Sequence, residues 1–131
     1  MSLSSRMGSL TVQSLLEPID ATATVNATSG WVDVRGYEGD VAIVFHAGVL
    51  DGGSVTWTAE TAEDGSATNS SAITFNEGAL TQVTTSNDNP NIQIRTVPAR
   101  ALKGFVRTIG TIVTGGALVS TCLIGCKKYA A

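Results

Sequence analysis

At 131 residues the chain fits one domain and is long enough to bury a core without metals or disulfide staples. Its net charge is −3 and charged residues make up only 15% of it, so no basic face is available for general binding to a phosphate backbone, and nucleic acid is excluded as a partner. Gly, Ser and Thr are abundant while Lys, Glu and Leu are scarce, which suits short strands and turns and deprives helices of their best formers.

Residues 1–30 read as an extended N-terminal arm: apolar residues follow no steady period and Pro18 interrupts them. Leu10, Val12, Leu15, Leu16 and Ile19 are too many apolar groups for a tail that stays in water. Part of the arm is therefore expected to pack on its own body or on a neighbour. Arg6 is not followed by an apolar run long enough for a secretory signal, so the product is expected to stay where it is made.

From Trp31 turns punctuate the chain regularly, and residues 31–131 read as one β-sandwich domain. Trp31–Val34 is a short strand. Val41–Ala47 is a strong one, with Val41, Ile43, Phe45 and Ala47 on one face and Ala42, Val44 and His46 on the other. Asp51-Gly52-Gly53 supplies a tight turn. Ser54–Glu63 then alternates Val55, Trp57, Ala59 and Thr61 with polar neighbours.

Ala72–Phe75 and Thr81–Thr85 are weaker strands, and Ser86–Asn91 is a loop. Ile92, Ile94 and Thr96 alternate with Gln93, Arg95 and Val97 in another half-buried strand. The chain ends on Ile109–Cys126, an uncharged run followed by Lys127 and Lys128. It is too short and too rich in Gly, Ser and Thr for a transmembrane helix, which needs about 20 mostly apolar residues. Gly115-Gly116 between β-branched flanks instead predicts a closing β-hairpin, Gly104–Thr114 with Ala117–Lys127. A total of about eight strands makes the fold all-β, an antiparallel β-sandwich of jelly-roll type with Trp31, Phe45, Trp57 and Phe105 in its core.

Chemistry is sparse. His46 is the sole histidine and no nucleophile elbow accompanies it, so no catalytic group is assigned and the chain is not expected to be an enzyme. Glu60, Glu63, Asp64 and Asp51 read as solvated loop acids. On one strand Cys122 and Cys126 share a face about 13 Å apart, at ~3.3 Å per residue, too far for a disulfide. Without further soft ligands they imply no metal, and no cofactor motif is present. Lys103, Arg107, Lys127 and Lys128 are expected near the ends of the last hairpin, where they either meet an acidic partner or are ordinary solvated strand ends.

The succession Trp31-Val32-Asp33-Val34-Arg35-Gly36-Tyr37-Glu38-Gly39, the apolar strand to Ala47, Asp51-Gly52-Gly53, Val55-Thr56-Trp57-Thr58, Glu63-Asp64-Gly65-Ser66, Asn87-Asp88, Phe105-Val106-Arg107 and Thr114-Gly115-Gly116 resembles small jelly-roll capsid cement, or decoration, proteins of tailed bacteriophages. The resemblance covers about residues 30–126 and rests on the order of turn and strand signals. It implies a non-enzymatic virion protein on the capsid exterior, made in the host cytoplasm. Its partners would be the major capsid protein and further copies of itself, as a dimer or trimer, with no nucleic acid and no membrane. Leu10, Val12, Leu15 and Leu16 are the expected arm contacts. Alternatives are a neck or tail component, a carbohydrate-binding sandwich using Trp31 or Tyr37, and, last, a tail-anchored membrane protein.

Overall fold

The computed structural model describes residues 10–21 and 24–127. Among these residues ten strands form two antiparallel sheets that pack face to face as a sandwich. They are β1 (Leu10–Ala21), β2 (Val25–Thr28), β3 (Val32–Asp33), β4 (Tyr37–Ala47), β5 (Ser54–Ala62), β6 (Ser71–Ala72), β7 (Val83–Thr84), β8 (Asn91–Pro98), β9 (Phe105–Val113) and β10 (Ala117–Lys127). One sheet has the order β1-β10-β4-β8. The other runs β2-β9-β5-β6, with β3 also on β9 and β7 also on β5.

The all-β expectation holds, and the alternation in β4 and β5 marks their buried faces correctly. Val41, Ile43, Phe45 and Ala47 of β4 are fully buried and meet Val55, Trp57 and Ala59 of β5 across the interior. Burying each larger side chain contributes about 1.5–3 kcal/mol. Phe45 anchors an aromatic cluster, with its ring 5.4 Å from Trp57 and 6.1 Å from Phe75. Two of the four expected core aromatics lie elsewhere. Trp31 and Phe105 are half-buried on the outside of the six-stranded sheet, where Arg107 covers the first ring at 4.6 Å and Arg35 the second at 5.2 Å.

The N-terminal segment differs from an arm set apart from the body. β1 runs along β10 from Leu10↔Cys126 to Ala21↔Ala117, and β2 pairs with β9, so residues 10–21 belong to one sheet and residues 25–28 to the other. Register shifts after Ser14 and after Leu16 break the two-residue alternation of β1 and turn both Leu15 and Leu16 into the core. The main-chain N–H of Leu16, displaced by the bulge, donates to Thr121 Oγ1 at 3.0 Å. Thr121 Oγ1 in turn lies 2.7 Å from Thr108 Oγ1 of β9, which joins the two sheets through the core. Thr108 N donates to Ser29 Oγ at 2.9 Å, so the bolt extends to the chain leaving β2.

The closing hairpin is also corrected. β9 and β10 are both strands, yet they lie in different sheets and no ladder joins them. Thr114–Gly116 carries the chain from one sheet to the other. Gly115 at φ +95° makes this crossing possible: a Cβ there would meet Asp51 O at 2.1 Å, while one on Gly53 would meet Thr114 O at 1.8 Å. The two glycine turns are thus nested against each other. A hairpin and a sheet-to-sheet crossing use the same turn residues, so local sequence does not separate them.

Candidate functional site

Because successive strand side chains point to opposite faces, the buried set of each strand defines what its other face shows. In β8 the inward positions are Gln93 and Val97, and the isoleucines face out: Ile92 and Ile94 are 58% and 55% exposed. Gln93 is satisfied inside as if it were a short strand. Its Nε2 donates to Thr81 O and its Oε1 accepts from Thr81 N, both at 2.8 Å. The polar residue therefore pins the neighbouring segment, and the apolar pair is left to the surface.

Ladder register extends this surface across four strands. One row runs Val12, Ile124, Ala42, Thr96, and the next Ser14, Cys122, Val44, Ile94. A third contains Ser120, His46 and Ile92. Leu10 at one end and Leu118 at the other are 44% and 57% exposed, and Val12 is 66% exposed. None of these positions carries Asp, Glu, Lys or Arg, but carboxylates stand at both ends of the face, Glu38 beside Cys126 and Asp20 beside Leu118. Cys122 and Cys126 sit half-buried on this face and neither forms a disulfide; burial pushes the Cys122 thiol up.

Of the expected arm contacts, Leu10 and Val12 lie on this face, whereas Leu15 and Leu16 are in the chain's own core and have little surface to offer a partner. The inverted pattern of β8 escaped the sequence, since period-2 alternation shows that a strand has two faces without showing which is inner. A buried glutamine between two outward isoleucines becomes visible only in the register.

The edges of the four-stranded sheet are unequal. β8 is covered by the segment before it: Asn76 N donates to Thr96 O at 2.9 Å, Glu77 accepts from Thr96 N and its hydroxyl, and Arg95 Nη2 donates to Ala79 O at 3.2 Å. Among the described residues β1 is the open edge. Its second half is blunted by bulges, Glu17, Pro18 and Asp20, but Leu10–Ser14 runs in unbroken register with β10.

The opposite outer face is polar. β5 shows Thr56, Thr58 and Glu60, opposed by Thr111, Ile109 and Arg107 of β9. Arg107 Nη2 pairs with Glu60 Oε1 at 2.8 Å while its guanidinium lies over Trp31. The expected gathering of basic residues is replaced by separate attachments. Lys103 Nζ donates to Asn69 O at 2.6 Å and Lys127 lies 5.5 Å from the Tyr37 ring, while Lys128 is outside the described residues. Tyr37, one of the two rings a carbohydrate groove would need, is 3% exposed with its hydroxyl on Gln13. Among the described residues no group of three or more His, Cys, Asp or Glu is placed to hold a metal, and no helix is long and apolar enough to cross a membrane.

No family model matches the sequence, and no characterised protein matches it at the sequence level. Among solved structures the fold is similar to a chain in the structure of the infectious bursal disease virus Gx strain, at 9% identity and a TM-score of 0.51, covering 92% of this chain and 33% of that one. It is also similar to the CBM22-1 xylan-binding domain of Paenibacillus barcinonensis Xyn10C, at 16% identity and a TM-score of 0.49, over 94% and 85% of the two chains. A third similar structure is the SPBc2 prophage-derived protein YomS, at 11% identity and a TM-score of 0.44, over 88% and 93%. The chain thus spans about a third of the first viral chain, and the likeness is one of fold.

Proposed function

We propose that this chain is a non-enzymatic structural protein of a virus particle, and more narrowly a cement (decoration) protein of a phage head. It docks on the capsid exterior across junctions between major capsid protein subunits and associates with further copies of itself. The observation that supports this reading is the apolar outer face of the four-stranded sheet, with exposed Leu10, Val12, Ile92, Ile94 and Leu118 around half-buried Val44, Cys122 and Ile124. A contiguous apolar face of this kind marks an interaction surface. Its middle carries no charge, with Glu38 and Asp20 only at its ends, which suits a surface that another protein covers, since an unpaired buried charge is costly.

The open half of β1 adds a second means of attachment, main-chain pairing along Leu10–Ser14 with a strand of the shell or of another copy. Many copies on one shell multiply contacts that are weak singly. The test is the copy number and position of the chain in purified intact particles, by quantitative mass spectrometry and cryo-electron microscopy. The expected result is a fixed ratio to the major capsid protein, with the apolar face toward the shell. A few copies confined to one vertex would reassign it to the neck or tail, and absence from the particle would sink the reading.

A further inference from the structure

The six-stranded sheet has a gap in its main-chain pairing beside Trp57. Successive residues of an antiparallel strand turn their N–H and C=O to opposite sides. On β9, Thr108 turns both groups toward Ser29: its C=O accepts from Ser29 N and its N–H donates to Ser29 Oγ, each at 2.9 Å. Even-numbered residues of β9 therefore point away from β5, and odd-numbered ones point toward it. The register sets Val113 opposite Ser54 and Ile109 opposite Thr58, so the even-numbered residues of β5 bond to β9. Val55, Trp57 and Ala59 turn their main chain the other way, and on that side Ala59 O accepts from Ile73 N at 3.0 Å.

There the main chain of Trp57 meets no partner among the described residues. β7 ends its pairing at Val55↔Val83, and the next position in that register is Thr81. Gln93 of β8 takes both the N–H and the C=O of Thr81. From the β6 end, the register of Glu60↔Ala72 leads through Ile73 to Phe75, whose ring is in the core and whose C=O accepts from Gly78 N. A hollow of about 330 Å³ lies at the gap, within the range of small-molecule sites, roughly 300–1,000 Å³. Trp57, Thr58 and Ala59 all line it although their side chains alternate between faces, so it abuts the main-chain edge of the strand. Its other walls include Ile73, Phe75 and Leu80, and no charged side chain.

We propose that the hollow binds a small neutral diamide: one apolar residue, acylated on its nitrogen and amidated on its carbonyl, lying extended and antiparallel to Trp57. The C=O of that residue accepts from Trp57 N–H, and its N–H donates to Trp57 C=O. Opposed residues send their side chains to the same face, so an L side chain enters beside the buried Trp57 ring and a D side chain faces solvent. An ionised terminus would be buried unpaired. Longer peptides are too long for the gap, because Val83 and Ile73 stand opposite Val55 and Ala59, about 13 Å apart at ~3.3 Å per residue. The site is on the sheet opposite the proposed docking face and does not rest on the capsid reading.

The test is titration of the ¹⁵N-labelled full-length protein with N-acetyl-L-leucine N-methylamide. The Trp57 main-chain amide signal is expected to shift saturably, and its exchange with solvent to slow. The D enantiomer, and the L compound methylated on its leucine nitrogen so that it has no N–H for Trp57 O, should each bind about tenfold more weakly. Free leucine should not bind, and adding an alanine at each end of the diamide should abolish binding. Leu80→Trp, which fills the hollow, and Ala72→Leu, at an exposed position on its rim, should each weaken the L diamide by about tenfold or more, with urea unfolding showing that the variants are folded. The proposal is overturned if the L diamide gives no saturable shift, or if the D enantiomer, the N-methylated compound or free leucine binds equally well. Tighter binding of the lengthened peptide would also overturn it, by making the gap a groove for an added strand.

Discussion

The two outer faces of the sandwich share strand geometry and differ in almost every side chain. The four-stranded sheet shows Val, Ile, Ala and Cys in register across β1, β10, β4 and β8. The six-stranded sheet shows Thr56, Thr58, Thr111 and the Glu60–Arg107 pair, with Ile109 among them and the Trp31 and Phe105 rings covered by arginines. Threonine keeps β-branching, and so strand propensity, while presenting a hydroxyl to water. One face is thus complete as a solvated surface, and the other lacks a covering layer. The difference makes the proposed docking one-sided, so that charge placed on the two faces should have different consequences.

The largest expected effect breaks this contrast directly. Ile94→Lys puts an ammonium in the middle of the apolar face at a position already 55% exposed, so the fold should tolerate it. Retention on particles should fall at least about thirtyfold, the effect of losing a central interface anchor. Thr58→Lys on the other sheet should leave retention unchanged. Sedimentation of particles with each purified variant is the measurement. Equal retention of both variants, or equal loss, would remove the one-sided docking face.

The next effect concerns what holds the two different sheets together. Thr121→Val keeps the side-chain shape and removes the acceptor of Leu16 N and the partner of Thr108 Oγ1, both buried. The expected loss is about 1–3 kcal/mol, read from urea unfolding. Thr58→Val, on the solvated face, should change stability by less than about 0.5 kcal/mol. The double variant Thr108→Val with Thr121→Val should cost less than the sum of the singles, because neither hydroxyl is then left facing a methyl group. Additive losses would mean that the two hydroxyls do not act as a pair.

How far these features are legible in sequence depends on whether they are local. β4 and β5 announce themselves because their apolar residues all fall on the side that is buried. β8 has equally clear alternation, but its apolar side is the outer one, and only the pairing of β8 with β4 reveals this. Leu15 and Leu16 look like any two apolar arm residues; the bulge that turns both inward depends on Thr121, more than a hundred positions later, catching the freed N–H. Leu10 and Val12 precede the bulge and keep the outward parity that makes them available. The run after Ile109 contains strand signals and glycines enough for a hairpin, and its division between sheets follows from close contact with the turn at Asp51–Gly53. What the sequence withholds is in each case long-range: which face is inner, which strand is neighbour, and which turn receives a glycine.

The smallest expected effect separates the sheets by their response to acid. Both ion pairs among the described residues belong to the six-stranded side, Glu60–Arg107 on β5 and β9 and Asp33–Arg35 at β3. The Arg35 guanidinium, and then its main-chain N–H, donate to the Asp33 carboxylate and hold its pKa down from 3.8 to about 2. A depressed carboxylate contributes stability above its unfolded value, and that contribution disappears as pH falls through the folded one. Its window is therefore from about pH 4 down to about pH 2. The unscreened shift corresponds to about 2.5 kcal/mol, but the Arg35 and Asp33 side chains are 67% and 48% exposed, so solvent reduces it to about 1 kcal/mol or less. Asp33→Asn should accordingly lower the urea midpoint slightly at neutral pH, and the two proteins should converge as the pH approaches 2. A gap that stayed constant across that window would assign the effect to the turn that Asp33 closes onto Arg35 N, and not to its charge.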